Sequence, residues 1–475
     1  MKLNDFKRNL LIKNEPSPIR TIKKDNEINN LNLNINKKSF SINTTINKTG
    51  QINSGLKIIG ITGSKGKSTT AYLIHNYLKY IGYKSVLFSS IGIDSPAGYN
   101  SPDESIENPI RDEKMLLNAI LQAEAYEADF LILEVNERAI SKGLINGIPF
   151  DIRLITNVIP THNNSFYTTE QYVSLKQSFF ENIPDDEDCT CIFGIEENYV
   201  YRNLEANNNK KQKIFGTRYL SKVRGIDESK IDYLLYSNDS VFDSLDGLNF
   251  SIKTKNNNFN LHTKMIMPHN AMNILASVAV LDTLKVYDYD SFSNFILNIT
   301  IPGRDKIIKK NNRTIIISTH LAPTLEILGK YKNEKKFNRL VVVTGSVGYG
   351  HKTWIKEYSD EVYENDIINS MKFAYNYINK YADSVYITTS DIGSKNPQLL
   401  LEMQSQLVSK NISNKNYINR KDAIKYAILD SLDGDLIFIS GRGNRRIACI
   451  SEDKVDLFQD EEIVFKTFED LELTN

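Results

Sequence analysis

Cysteine is scarce in this chain, with only Cys189, Cys191 and Cys449 among 475 residues. Three cysteines make no disulfide framework. Cys189 and Cys191 stand too close together for a C-x-x-C site, and no His/Cys cluster accompanies them. An excess of charge of either sign is also missing. Lys plus Arg and Asp plus Glu number 58 each, so bulk electrostatics does not argue for nucleic acid or an anionic membrane as partner. No apolar run approaches the length of a membrane span, and the start "MKLNDFKRNLLIKN" has no apolar region of the kind a secretion signal carries. These absences leave a cytoplasmic enzyme acting on small molecules as the expectation. What is present is ordinary for a globular protein: 41% hydrophobic and 24% charged residues, in a length that suggests two or three domains with sizeable cores.

Residues 1–55 differ from the rest. "KKDNEINNLNLNINKKSFSINTTINKTGQINSG" is dominated by Asn, Lys, Ser and Thr, and reads as a polar lead-in in which a β-ribbon is the alternative. From Leu56 the pattern is β/α. "KIIGITG", "SVLFSS", "DFLILEV" and "IRLITNV" are short buried-strand runs, separated by helix-period stretches such as "EKMLLNAILQAEAYEA". That alternation predicts an α/β fold with a mainly parallel sheet and ligand loops at the strand carboxyl ends. Residues of about 190–265 are more β-rich and polar, like a small sheet insertion. "PHNAMNILASVAVLDTLKV" is a strong amphipathic helix, and Pro302–Gly303 mark a turn into a second β/α series, "TIIIST", "RLVVVTGS", "SVYITTS" and "LIFISG". The expected organisation is a central β/α unit over 56–301 and a smaller Rossmann-like unit over 302–475.

Within the first unit, "GITGSKGKSTTAYLIHNYLKYIG" has the strand–loop–helix layout of a phosphate-binding loop. Glycines let backbone N–H groups converge on phosphate oxygens at a helix N-terminus. Lys67 can reach the terminal phosphates, and the Ser68 hydroxyl can ligate Mg²⁺. The general G-x-x-x-x-G-K-[ST] spacing is not met, because Ile61 stands where its first glycine belongs and Gly60 comes one place too early. The plainer alternative is a Gly/Ser turn with surface lysines. Further along, "LILEVNERAI" puts Glu134 at a strand end, and "LITNVIPTHNNSFYTTEQYVSLKQSFF" puts His162 past the next strand and Lys176 in the following helix. Taken singly, these read as a surface carboxylate, a loop histidine and a solvated lysine.

Together with the loop, they resemble the Mur ligase family, which also includes folylpolyglutamate, cyanophycin and poly-γ-glutamate synthetases. The resemblance covers about residues 56–450. The family's loop has the form T-G-x-x-G-K-[ST]-[ST], which Thr62–Thr69 match and which accounts for the odd glycine spacing. It implies an ATP site at Gly63, Ser64, Lys65, Gly66, Lys67, Ser68 and Thr69. It implies Mg²⁺ on Ser68 and Glu134, a second metal near His162, and a carbamylated lysine at Lys176. "PHNAMN" resembles the family's helix start and implies Asn270 beside the nucleotide. "PGR" implies Arg304 reaching the phosphates, and "STHLAPTLEIL" keeps His320 and Pro323 of a D-Y-A-H-x-P segment. "VVVTGSVGYGHKTW" aligns Lys352 with a family lysine. "YITTSDIGSKNP" and "ISGRGNRR" are similar to T-S-D-N-P-R and A-G-K-G-H-E, and lean toward the branch that adds the third amino acid to UDP-MurNAc-dipeptide.

Departures accompany the matches. Ser318 replaces the acid of D-Y-A-H, and Thr161 stands where Asp precedes the histidine. Asn136, Glu137 and Arg138 replace S-S-H, "DIGSKNP" lacks the arginine of D-N-P-R, and Asn444–Arg445 replace the final His-Glu. The residues before Leu56 are too few and too polar for a separate UDP-binding domain. The resulting expectation is an ATP-dependent carboxylate–amine ligase working through an acyl phosphate. Its acceptor is a cell-wall precursor or, as the alternative, a folate-type or poly-amino-acid acceptor without UDP. A degenerate, non-catalytic ATP-binding partner protein is the rival from another class.

Overall fold

The computed structural model describes residues 55–100, 110, 112–159, 167–181, 183, 188–195, 211–219, 226–236, 242–255, 257–346, 360–392, 395–450 and 454–474. His162 and Lys352 lie outside these residues, as does the lead-in up to residue 54.

The chain enters at β1 (Lys57–Thr62), passes through the loop into α1 (Lys67–Tyr80), and returns as β2 (Ser85–Ser89) and the short β3 (Gly92–Ser95) and β4 (Gly98–Asn100). Then come helix α2 (Glu113–Ala125), β5 (Phe130–Glu134), α3 (Glu137–Ser141), β6 (Ile152–Ile155) and α4 (Thr169–Glu181). After them stand β7 (Thr190–Gly194), β8 (Lys211–Thr217), β9 (Tyr233–Leu235), β10 (Phe242–Ser244), β11 (Gly247–Thr254) and β12 (Asn258–Thr263). Their sheet runs β10-β11-β9-β8-β7-β6-β1-β5-β2-β3-β4, with β12 paired to β11. Strands β9, β8, β7, β6, β1, β5 and β2 are mutually parallel, and the outer ribbons are antiparallel.

The polar stretch read as a small sheet insertion is hydrogen-bonded into the central sheet and lengthens it. Strands β7 and β9 are buried on both faces, and the polar character belongs to the outer strands. Ile192, Phe215, Tyr233 and Leu248 pack under α5 (His269–Thr283) in one core with Ala71, Ile74 and Leu78 of α1. The strand pattern of β12 alternates exposed and covered residues accordingly. On the other sheet face, α2 and α4 cover Ile58, Leu131 and Leu133, with Phe150, Phe179 and Phe180 in the same cluster.

Gly60, the glycine that spoils the general loop spacing, belongs to this packing. A Cβ there would lie 2.7 Å from Phe150 Cε1 and 2.8 Å from Phe179 Cζ. It is a glycine because two rings press on the strand.

After α6 (Tyr289–Leu297), β13 (Lys306–Lys310) and β14 (Arg313–Ser318) open a second sheet. It continues with α7 (Ala322–Asn333), β15 (Leu340–Ser346), α8 (Asp360–Tyr381), β16 (Ser384–Thr389) and α9 (Pro397–Gln406). It ends with β17 (Ser413–Asn416), α10 (Arg420–Leu429) and β18 (Leu436–Ser440). The order is β13-β14-β18-β15-β16-β17, parallel from β14 onward. A two-stranded ribbon, β19 (Ile447–Cys449) with β20 (Val455–Leu457), precedes the last helix α11 (Asp460–Thr474). Cores lie on both faces, as in a doubly wound sheet.

Candidate active site

In the first sheet, β6, β1 and β5 are neighbours, so the segments leaving their carboxyl ends meet in one place. The loop after β1 is wedged between the end of β6 and the start of α5. Gly63 has φ +139°, and a Cβ there would lie 2.0 Å from Thr156 Oγ1. Gly66 has φ +83°, and its Cβ would lie 2.2 Å from Asn273 Oδ1. Ser64 N donates to Asn157 O at 3.0 Å, Lys65 N to Asn157 Oδ1 at 2.9 Å, and Thr156 Oγ1 to Lys65 O at 2.6 Å. Ser64 Oγ lies 2.9 Å from Tyr172 OH and accepts from Ile159 N at 2.8 Å. Thr156, Asn157 and Tyr172 are site residues that no motif in the sequence announces. The one signal for the first two is the polar pair directly after a buried strand in "IRLITNV".

Held this way, the loop delivers α1 with Gly66 at its N-terminus. No side chain caps that helix, and its first turn holds no acidic residue. Its first N–H groups have no intrahelical partners and suit an anion. Lys67 Nζ folds back over the loop to Gly63 O at 3.0 Å. Burial, with Lys67 and Arg304 adding repulsion, pushes the Lys65 ammonium down to about 8. Three cations thus crowd one uncapped helix end, a field that a polyphosphate would neutralise.

Hard oxygens gather beside it. Ser68 Oγ meets Ser90 Oγ at 2.8 Å. Glu134 Oε2 accepts from Ser89 Oγ at 2.6 Å and from Ser90 N at 2.8 Å, and Ser90 Oγ donates to Oε1 at 3.4 Å. A buried carboxylate linked to two hydroxyls fits Mg²⁺, which prefers oxygen donors and keeps part of its water shell. The second metal position expected from His162 lies outside the described residues.

Lys176 is fully buried and not the solvated helix lysine of the plainer reading. Its Nζ lies 3.3 Å from Thr62 Oγ1 and 3.4 Å from Glu137 Oε2. Burial pushes the amine down to about 8 against the pull of Glu137, with Lys67 adding repulsion. Burial opposes the charge on Glu137, but Lys176 and Lys67 outweigh it and hold that carboxyl at about 2. The neighbouring Asn136 caps α3, accepting from Ala139 N at 2.8 Å. Two of the residues that depart from the family's pattern thus organise the strand end after Glu134.

The second sheet approaches from the other side. Gly303, at φ +68°, has no room for a Cβ against Asn444. It turns Arg304 so that its guanidinium donates to Thr319 Oγ1. Burial lowers the Arg304 pKa, Glu134 opposes that and Arg445 adds to it. Asn270 donates to Ile266 O at 2.6 Å and accepts from Asn273 Nδ2 at 2.9 Å, so it is Asn273 that touches the loop and Asn270 that holds it. His320 comes just after β14, half-buried, with its N–H on Ser318 Oγ at 3.2 Å. In "DIGSKNP", Asp391 accepts from Arg442 Nη1 at 2.8 Å and from Arg445 Nη1 at 3.3 Å. Lys395 is held by Glu364 at 2.5 Å.

A phosphate-binding loop on a parallel sheet, faced by an arginine from a second doubly wound sheet, defines a two-sheet nucleotide-using enzyme. A family profile described as the Mur ligase middle domain matches residues 61–281. The UDP-N-acetylmuramoyl-L-alanyl-D-glutamate–2,6-diaminopimelate ligase of Prochlorococcus marinus subsp. pastoris is 24% identical over 425 residues. That match spans 87% of this chain and 78% of the relative. The enzyme of the same name from Bacillus cereus is 24% identical over 422 residues, with the same coverage.

Among solved structures, a diaminopimelate ligase of this kind superposes with TM-score 0.57 at 18% identity, over 90% of this chain and 81% of that one. E. coli FolC in complex with DHPP and ADP gives 0.57 at 15%, over 82% and 86%. At these identities the structures speak for the fold. Residues 61–281 match the Mur ligase middle domain, and over most of its length the chain is similar to ligases that make carbon–nitrogen bonds.

Proposed function

We propose that this chain activates a small-molecule carboxylate with ATP and joins it to the amine of an amino acid. The observation that carries this reading is the convergence of Lys65, Lys67 and Arg304 on an uncapped helix end, with Glu134 and Ser68 beside it. A carboxylate resists attack because a nucleophile would add charge to an anion. Moving the γ-phosphoryl group onto it gives an acyl phosphate with a good leaving group. Lys67 and Arg304 balance the charge of the phosphoryl group in flight. Ser68 and Glu134 are the residues that would hold Mg²⁺, which supplies further charge neutralisation when bound. The amine then attacks the carbonyl, and the products are an amide, ADP and phosphate. His320 follows β14 in the second unit, and closure of that unit over the loop would exclude water from the acyl phosphate.

The site has two ways to present an anionic oxygen beside Lys176. One is a carbamate on its own amine, as the family resemblance implies. The other is the Glu137 carboxylate, which already lies there. For the acceptor, the curated relatives are named for cell-wall precursor synthesis, and a peptidoglycan precursor is the class to test first. A phosphate-release screen of amino acids against candidate carboxylates, read by mass spectrometry, tests the reading. Phosphate release that depends on both a carboxylate and an amine, with a product mass equal to their sum less water, is the expected result. ATP binding with no amine-dependent turnover on any pair would favour the non-catalytic rival.

A further inference from the structure

The segment that enters α5 packs against the second unit. Ile266 and Met267 lie in one apolar cluster with Leu325 and Leu328 of α7, and Met267 takes φ +74° just before the helix. Helix α5 then begins at His269, and its Asn273 meets the phosphate loop at Gly66. Across the crevice, Asp305 follows Arg304 directly. It too is left-handed, at φ +48°, a conformation that costs a non-glycine residue free energy and that Asp adopts more readily than most. Its side chain is 4% exposed, and Thr324 Oγ1 of α7 donates to its Oδ1 at 3.2 Å.

The other carboxylate oxygen faces His269. Nε2 stands 3.7 Å from Asp305 Oδ2, an ion-pair distance that is too long for a finished hydrogen bond. The imidazole lies between the units, 42% exposed, with enough protein around it that burial lowers its pKa below 6.5. Asp305 opposes that shift and Lys65 adds to it. Behind Lys65 stand Lys67 and Arg304. A polyphosphate on the loop would offset the charge of Lys65 and bring negative charge of its own, which favours the imidazolium.

We propose that nucleotide binding at the loop draws a proton from solvent onto His269, whose imidazolium then closes on Asp305. The pair ties the second unit, with Arg304 at its edge, to the helix start that holds the loop. His269 and Asp305 are positioning residues in this scheme. The inference rests on the nucleotide reading of the loop.

Calorimetry of Mg²⁺·ADP binding to the full chain at about pH 6.5, in Pipes and in imidazole buffer, reads the protons exchanged. The same titrations on His269→Gln cancel whatever the ligand contributes. Lys65, pushed down to about 8, is already a cation at that pH and adds little. The wild type should take up about half a proton more than His269→Gln. His269→Gln and Asp305→Asn should each weaken ADP binding about threefold, and the double variant no further, as for one shared contact. Equal proton uptake in wild type and His269→Gln, or losses that add in the double variant, would overturn the proposal and leave the nucleotide reading standing. A wild-type chain that binds no Mg²⁺·ADP would overturn both.

Discussion

Asn444 Nδ2 donates to Ile91 O and to Tyr99 OH, each at 3.1 Å. The loop that ends the second sheet's β18 is thereby tied to the turn after Ser89–Ser90, where Glu134 is held. Asn444 O in turn accepts from Gln459 Nε2 at 2.8 Å. This contact sets how the two sheets face each other across the phosphate loop. Asn444→Ala should lower kcat/KM by about tenfold, the worth of one well-made hydrogen bond. The melting temperature should move little, because each sheet keeps its own core. Unchanged kinetics would show that the contact does not position the reaction.

Two glycines near the loop should fail differently. Gly60→Ala pushes a methyl group into Phe150 and Phe179 and should cost about 1–3 kcal/mol of stability, as overpacking does. Its nucleotide affinity should stay close to wild type. Gly66→Ala meets both a positive φ and Asn273 Oδ1, so ADP affinity by calorimetry should fall tenfold or more, with a smaller loss of stability. The reverse pattern would mean that the loop is anchored elsewhere.

Lys67→Ala should abolish turnover, a loss of roughly 10²-fold or more, because the loop loses the charge meeting the terminal phosphates. A variant with near wild-type turnover would remove the loop from the mechanism.

Diaminopimelate and lysine should not be the preferred amines. "DIGSKNP" has no arginine to fork onto a carboxylate, and Lys395 is engaged by Glu364 and lacks the planar fork. Arg445, paired to Asp391, stands where the family pattern has an acid that can hold a second amine. Ranking amines by kcat/KM checks this, and a clear preference for either diamine would contradict it.

Acid should weaken the fold from near neutrality. His75 Nδ1 meets Ser85 Oγ and its Nε2 meets Asp94 Oδ2, both at 2.9 Å, joining α1 to β2 and β3. Burial lowers the His75 pKa below 6.5 despite the hydrogen bond and charge of Asp94. A depressed folded pKa means the neutral ring is the folded form. Stability is complete above about 6.5 and declines as pH falls below it, since the unfolded chain binds the proton first. Urea melts at about pH 7 and about pH 5.5 should show this decline, and His75→Gln should lose part of it. His269, also lowered by burial, leaves a residual slope of the same sign. Equal wild-type stability at both pH values would contradict the assignment.

The sequence by itself determined the parallel β/α order, the loop and its helix, and the strand-end position of Glu134. Each of these is written in local period, in glycine and hydroxyl spacing, or in a polar residue directly after a buried run. Legibility stopped where partners are far apart in the chain. That β7–β12 lengthen the central sheet depends on which edge is left to pair and on α5 covering one face. That Gly60 yields to two phenylalanines depends on contacts some 90 to 120 positions away. The Glu137–Lys176 pair spans 39 positions, and in sequence Glu137 is only a departure from a pattern. Only the tertiary structure decided these, because burial and charge pairing are properties of neighbours in space. A side chain's chemistry is legible from its type, but the company that tunes it is chosen by packing.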